Sequence, residues 1–134
     1  MYRYIGIELD CRYNASAVTP VRPTGSQKLQ QNANAYKAAL ANGPIAALVE
    51  ADKVAFRFYS SGILNSDKCG YEADHAVQIV GWGKDESSQL EYYIVKNSWG
   101  GLWGEDGYIR IAIAVGPTGM GICGIHNTAY VPTF

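Results

Sequence analysis

The chain is short of charge, of histidine and of long apolar runs, and each shortage closes off a class of function. Only 17% of its residues are Asp, Glu, Lys or Arg and the formal net charge is −1, so no field gathers nucleic acid or an anionic membrane. No apolar run reaches the ~18 residues that a membrane-spanning helix needs. The start carries no basic-then-apolar leader, so any secretory signal is expected outside this chain. The two histidines and three cysteines are scattered, without the spacings that hold structural metals, and no metal or cofactor is expected. There is no internal repeat and no low-complexity stretch, which argues against solenoids and disordered linkers.

What is present is globular in character. A chain of 134 residues that is 48% hydrophobic is one domain with enough apolar material for a real core. Three cysteines leave one over if disulfides form, and the residues alone also allow three free thiols in a reducing compartment. Asn14-Ala15-Ser16 has the form of a glycosylation sequon, consistent with a secretory route.

The chain is organised around residues 74–103. Residues 76–80 and 92–95 have strand character, and the turn-rich piece 81–89 lets the second strand return beside the first. In an antiparallel pair the start of one strand faces the end of the other. His75 and Asn97 then meet at one rim of the sheet, with Trp99 and Trp103 beside them. Taken singly, the His reads as a satisfied core residue, the Asn as a turn residue and the tryptophans as core. Asp74 and Ser98 suggest a Ser–His–Asp triad, but neighbouring strand residues point to opposite faces, so neither shares a side with its neighbour. His126 has no local partner and reads as structural.

Elsewhere, Ile5, Ile7 and Leu9 alternate, as in an edge strand. Residues 13–26 read as loop or irregular strand. Leu29, Ala33, Tyr36 and Leu40 recur at helical spacing, with Asn32 able to cap the start and Gly43-Pro44 to stop the helix. A strand over residues 45–49, a helical turn placing Phe56 on the core, and a loop from 60 to 74 follow. After the central pair come a Gly-rich corner at 100–107, a strand over 108–115, a turn over 116–121 broken by Pro117, and a last strand over 125–132. One helix and about six mostly antiparallel strands suit a small β-barrel with a flanking helix.

The sequences DHAVQIVGWG and YYIVKNSWGGLWGEDGYIRI resemble the papain family of cysteine proteases, around its catalytic His and Asn. Gly43-Pro44-Ile45, Ser61-Gly62-Ile63, Cys123-Gly124-Ile125 and Tyr130-Val131-Pro132 fall in the family's order too, and cathepsin L-like members look most similar. The resemblance implies an α+β, mostly β fold: an antiparallel β-barrel with one flanking helix, the C-terminal or right-hand domain, over residues 1–134. It implies that His75 is the acid/base, that Asn97 orients it, and that Trp99 covers their hydrogen bond and walls the leaving-group side, with Trp103 packed beside it. The main specificity pocket would be lined by Leu48, Ala73, Ala76 and Thr128, with the backbone of Asp74 near the substrate. These residues are small or apolar, so a bulky aliphatic or aromatic side chain is expected there rather than a cation.

The resemblance also pairs Cys69 with Cys123 and gives Cys11 a partner upstream. Closing the first loop contributes roughly 4 kcal/mol in the chain-entropy model. No Gln-x-x-x-x-x-Cys-Gly-x-Cys-Trp pattern occurs, so the nucleophile is expected on an N-terminal helical domain that this chain lacks. The expected partners are that domain or chain, a peptide or protein substrate, and a protein inhibitor or propeptide, but neither nucleic acid nor membrane. The expected location is lysosomal, vacuolar or secreted. A different class stays open: a non-catalytic binding or structural module derived from the same fold.

Overall fold

The computed structural model describes residues 5–17, 20–116 and 118–134. Seven strands form one sheet: β1 (Gly25–Lys28), β2 (Ile45–Val49), β3 (Ile63–Leu64), β4 (His75–Lys84), β5 (Glu91–Lys96), β6 (Tyr108–Ala112) and β7 (Ala129–Thr133). The order across the sheet is β1-β7-β2-β4-β5-β6-β3, antiparallel throughout except for the short parallel pairing of β3 with β6. The expected mostly β architecture is present, with helix α1 (Ala33–Leu40) as its flanking helix and a single-turn helix α2 (Val54–Arg57). No ladder joins β1 to β3 among the described residues, so hydrogen bonds do not close the sheet into a continuous barrel.

Period-two patterning builds the sheet. In β2, Ile45, Ala47 and Val49 turn inward and are buried, while Ala46 and Leu48 turn outward. In β4 the same alternation buries Val77 and Ile79 and exposes Ala76 and Gln78. Tyr93 and Val95 of β5 and Ile109 and Ile111 of β6 complete one shared core. A register shift between Ile79 and Gly81 lets β4 run on past the expected turn to Lys84.

Helix α1 starts where its cap dictates: the side chain of Asn32 accepts a hydrogen bond from the Ala35 amide at 2.9 Å. Leu29, which fits the helical spacing, lies outside the helix and extends the β1–β7 ladder by donating its amide to the Ala129 carbonyl at 2.9 Å. Two other expectations fail for identifiable reasons. Over the described residues 5–12 there is no strand, because the apolar alternation pairs with none of the seven strands of the sheet. The last strand starts at Ala129, not at 125, because residues 122–127 curl tightly. Cys123 and Gly124 sit at φ +56° and +69°, and the His126 amide donates back to Met120. The strand after the Gly-rich corner ends at Ala112, and Pro117 lies outside the described residues.

Candidate active site

Cross-strand register decides where His75 points. Val49 pairs with His75, so the two share a face, and alternation puts His75 on the same face as buried Val77 and Ile79. Asn97 follows β5 directly and lies two residues beyond buried Val95. Both side chains therefore emerge at the end of the core face, at the rim, where one is partly and the other largely buried.

They meet there. His75 Nε2 lies 2.8 Å from Asn97 Oδ1, and the Ser98 amide donates to that same oxygen at 2.7 Å. A backbone N–H needs an acceptor, so the second bond identifies this atom of Asn97 as oxygen rather than nitrogen. An amide oxygen cannot donate, so Nε2 carries the proton and Nδ1 is the nitrogen left to accept or release one. The Ser98 contact comes from its backbone, so Ser98 is not placed as a nucleophile by its own bond.

An aromatic cradle holds the pair. The Trp99 ring lies 5.0 Å from the His75 ring, tilted by 34°. Phe56 of α2 stands edge-on to both, at 6.3 Å from His75 and 5.5 Å from Trp99. Trp103 packs on Phe56 at 5.2 Å and on Trp99 at 5.3 Å, and its indole N–H donates to the Arg57 carbonyl at 3.0 Å. Such a wall limits the imidazole's rotation. The Gly-rich corner carrying the tryptophans is fastened by Arg110, which donates twice to Glu105 at 2.8 and 2.9 Å, while Glu105 also accepts from the Gly62 amide. That contact lowers the Glu105 pKa below the usual carboxylate value, the Arg110 hydrogen bonds being the largest cause.

The nearby carboxylates are committed elsewhere. Asp74 Oδ1 accepts from the Ala51 amide at 2.7 Å, while the side chain that His75 meets is Asn97. Glu50, only 4% exposed, pairs through Oε1 with Lys53 at 2.8 Å and through Oε2 with the Glu72 amide at 2.6 Å. Burial pushes its pKa up, but Lys53 and the Glu72 and Tyr71 amides outweigh this and leave it below the ordinary value. Sequence reading missed Glu50, although a Glu closing an apolar strand was a visible signal. Among the described residues no His, Cys, Asp or Glu cluster is placed to hold a metal.

Of the residues named for the pocket, Leu48 and Ala76 pair across β2 and β4 on the outward face, and the Leu48 amide donates to the Thr128 carbonyl at 3.0 Å. Ala73 is exposed on the loop that ends at Asp74, whose amide donates to Val49 at 3.0 Å. A disulfide joins Cys69 to Cys123, and Cys11 is free and exposed. His126 is buried, with Nε2 at 2.9 Å from the Tyr93 hydroxyl.

An imidazole tethered through Nε2 to a neutral amide, with Nδ1 left over and no carboxylate bonded to the ring, suits partnership with a thiol. The pair sits at the rim of a seven-stranded, mostly antiparallel sheet. Comparison with known proteins makes this specific. Residues 1–133 match the family model described as papain family cysteine protease, and the chain belongs to that family. It is 37% identical over 133 residues to chymopapain of Carica papaya, covering 98% of this chain and 37% of that protein. It is 34% identical to cathepsin L of Sarcophaga peregrina, covering 98% of this chain and 38% of that protein. A solved structure of the bromelain protease of Ananas comosus, in complex with the E64 inhibitor, superposes with a TM-score of 0.84 at 36% identity, covering 99% of this chain and 60% of that one. The chain thus spans little more than a third of the length of these curated relatives.

Proposed function

We propose that this chain supplies the His–Asn half of the active site of a cysteine endopeptidase, and that the attacking thiol comes from an N-terminal helical domain outside residues 1–134. The 2.8 Å bond between His75 and Asn97 carries this reading. In it, His75 Nδ1 takes the thiol proton, the resulting ion pair leaves a thiolate ready to attack the peptide carbonyl, and the imidazolium returns the proton to the departing amine. Asn97 keeps the ring in the one pose from which both transfers work. Being neutral, it leaves the thiolate as the counter-charge of the imidazolium. Trp99 shields that bond and walls the leaving-group side.

Two of the three cysteines are joined to each other, which supports an outside source for the nucleophile. Leu48, Ala73, Ala76 and Thr128 form the main pocket, with the Asp74 backbone at its edge. These residues are small or apolar, with the Thr128 hydroxyl and no carboxylate among them, so the pocket favours an apolar side chain over a basic one. The disulfide favours an oxidising, secretory compartment, hence a lysosomal, vacuolar or secreted enzyme. A peptide or protein substrate, the complementary domain, and a propeptide or protein inhibitor are the partners.

The test is peptide hydrolysis by the chain joined to a matching N-terminal half. Turnover is expected, and a thiol alkylator blocks it. His75→Ala lowers kcat by about a hundredfold or more while circular dichroism stays unchanged. Unimpaired turnover in His75→Ala removes the acid/base assignment, and no turnover with any half favours a non-catalytic module.

A further inference from the structure

We propose that Asn14 carries an N-linked oligosaccharide. Asn14-Ala15-Ser16 is the only Asn-x-Ser/Thr sequence in the chain, and its middle residue is not proline. All of it is exposed, outside the sheet and outside the core. A short 3₁₀ turn (Ala15–Ala17) holds it, closed by the Ala17 amide on the Asn14 carbonyl at 3.1 Å.

The local hydrogen bonding singles out one atom of Asn14. Its Oδ1 accepts from the Ser16 amide at 3.0 Å and from the Ser16 hydroxyl at 2.7 Å. Among the described residues the turn is therefore built on the amide oxygen, and no bond from the nitrogen takes part in it. Joining a sugar to Nδ2 leaves both bonds in place, so the folded turn is compatible with the modified residue. The exposed neighbours Tyr13, Ala15 and Ala17 leave room for a bulky polar chain. The Cys69–Cys123 disulfide independently points to the oxidising route on which such transfer occurs.

The co-substrate is an oligosaccharide carried on a lipid diphosphate, acted on by a transferase of the secretory pathway. Asn14 Nδ2 forms a bond to the anomeric carbon, the bond from that carbon to the diphosphate oxygen breaks, and the lipid diphosphate leaves with the electron pair. The proton lost by Nδ2 passes to a base of the transferase. No redox change is involved.

The experiment is peptide mapping of the full-length protein secreted from a eukaryotic host, before and after treatment with a peptide N-glycosidase. The enzyme is expected to lower the intact mass and to convert Asn14 to Asp in its tryptic peptide. Asn14→Gln and Ser16→Ala abolish the mass change, whereas Ser16→Thr keeps it. Because Ser16→Ala also removes a bond of the turn, the Thr variant separates loss of the acceptor sequence from loss of local structure. An unmodified Asn14 in the secreted, disulfide-bonded protein overturns the proposal. So does a mass change that persists in Asn14→Gln.

Discussion

Asn97 accepts two hydrogens on one amide oxygen, and this makes it more than a spacer at the end of β5. The Ser98 amide fixes the oxygen, and the oxygen fixes the tautomer of His75. In the enzyme we propose, Asn97→Ala leaves the imidazole free to turn and to exchange tautomers. Misplacing a reacting group by about 1 Å costs on the order of a hundredfold, so kcat is expected to fall by tenfold to a hundredfold with KM little changed. Steady-state kinetics across pH checks this, and an equal rise in KM with kcat intact speaks against an orienting role. The meeting of His75 and Asn97 was legible in the sequence because strand alternation and an antiparallel return suffice to bring them together. Glu50 was not legible in the same way. Its partners lie three residues on at Lys53 and 22 residues on at Glu72, and only the folded loop brings the second one near.

Among the elements, the loop between Cys69 and His75 leads the chain into the rim where His75 sits. It is tied down by the disulfide to Cys123, by Glu50 on the Glu72 amide, and by two hydrogen bonds of Asp74 to Val49 and Ala51. Gly70 lets the chain pass: its φ is +81°, and a Cβ there would fall 2.0 Å from Glu50 Oε2. Replacing both cysteines by serine is expected to lower stability by up to about 4 kcal/mol, the entropy that the closed loop removes from the unfolded chain. In the enzyme we propose, the loop carries the pocket residue Ala73 but not the His75–Asn97 bond, so KM should rise more than kcat falls. Thermal melts and substrate titrations check the two parts separately. The limits of sequence reading are clearest for elements. Asn32 marked the start of α1 because a cap is a local device. The Ile5, Ile7, Leu9 alternation misled because period two reports a strand only where a sheet edge waits for it. Residues 125–127 misled because a disulfide and two positive φ angles, neither written in hydrophobic periodicity, curl the chain there.

Across the whole molecule, His126 is where the helix, the sheet and the C-terminal turn are tied together. Its ring meets Tyr36 of α1 edge-on at 5.3 Å and Tyr93 of β5 at 5.7 Å, and its Nε2 lies 2.9 Å from the Tyr93 hydroxyl. A Cβ on Gly121 would come within 2.8 Å of Nδ1, so the turn leaves no room for a side chain there beside the ring. No carboxylate bonds it among the described residues, and burial lowers its pKa below the ordinary 6.5. The unfolded chain therefore binds the proton more readily than the folded one. The contribution of His126 is complete above 6.5 and declines as pH falls from there through the lowered folded value. Glu50 works in the same direction in a lower window: its folded pKa is also depressed, so its contribution is present above 4.5 and fades as pH drops through the folded value. The two can thus be separated. Between about pH 7 and about pH 5, where a histidine titrates and Glu50 stays ionised, Tm is expected to fall for the unaltered protein. His126→Gln, which cannot take up a proton, lowers Tm at neutral pH but flattens the slope across that interval. Glu50→Gln leaves the interval's slope intact and lessens the loss in stronger acid. Calorimetry of the three proteins over the full range decides between them, and an undiminished slope in His126→Gln would mean that another group carries the acid sensitivity.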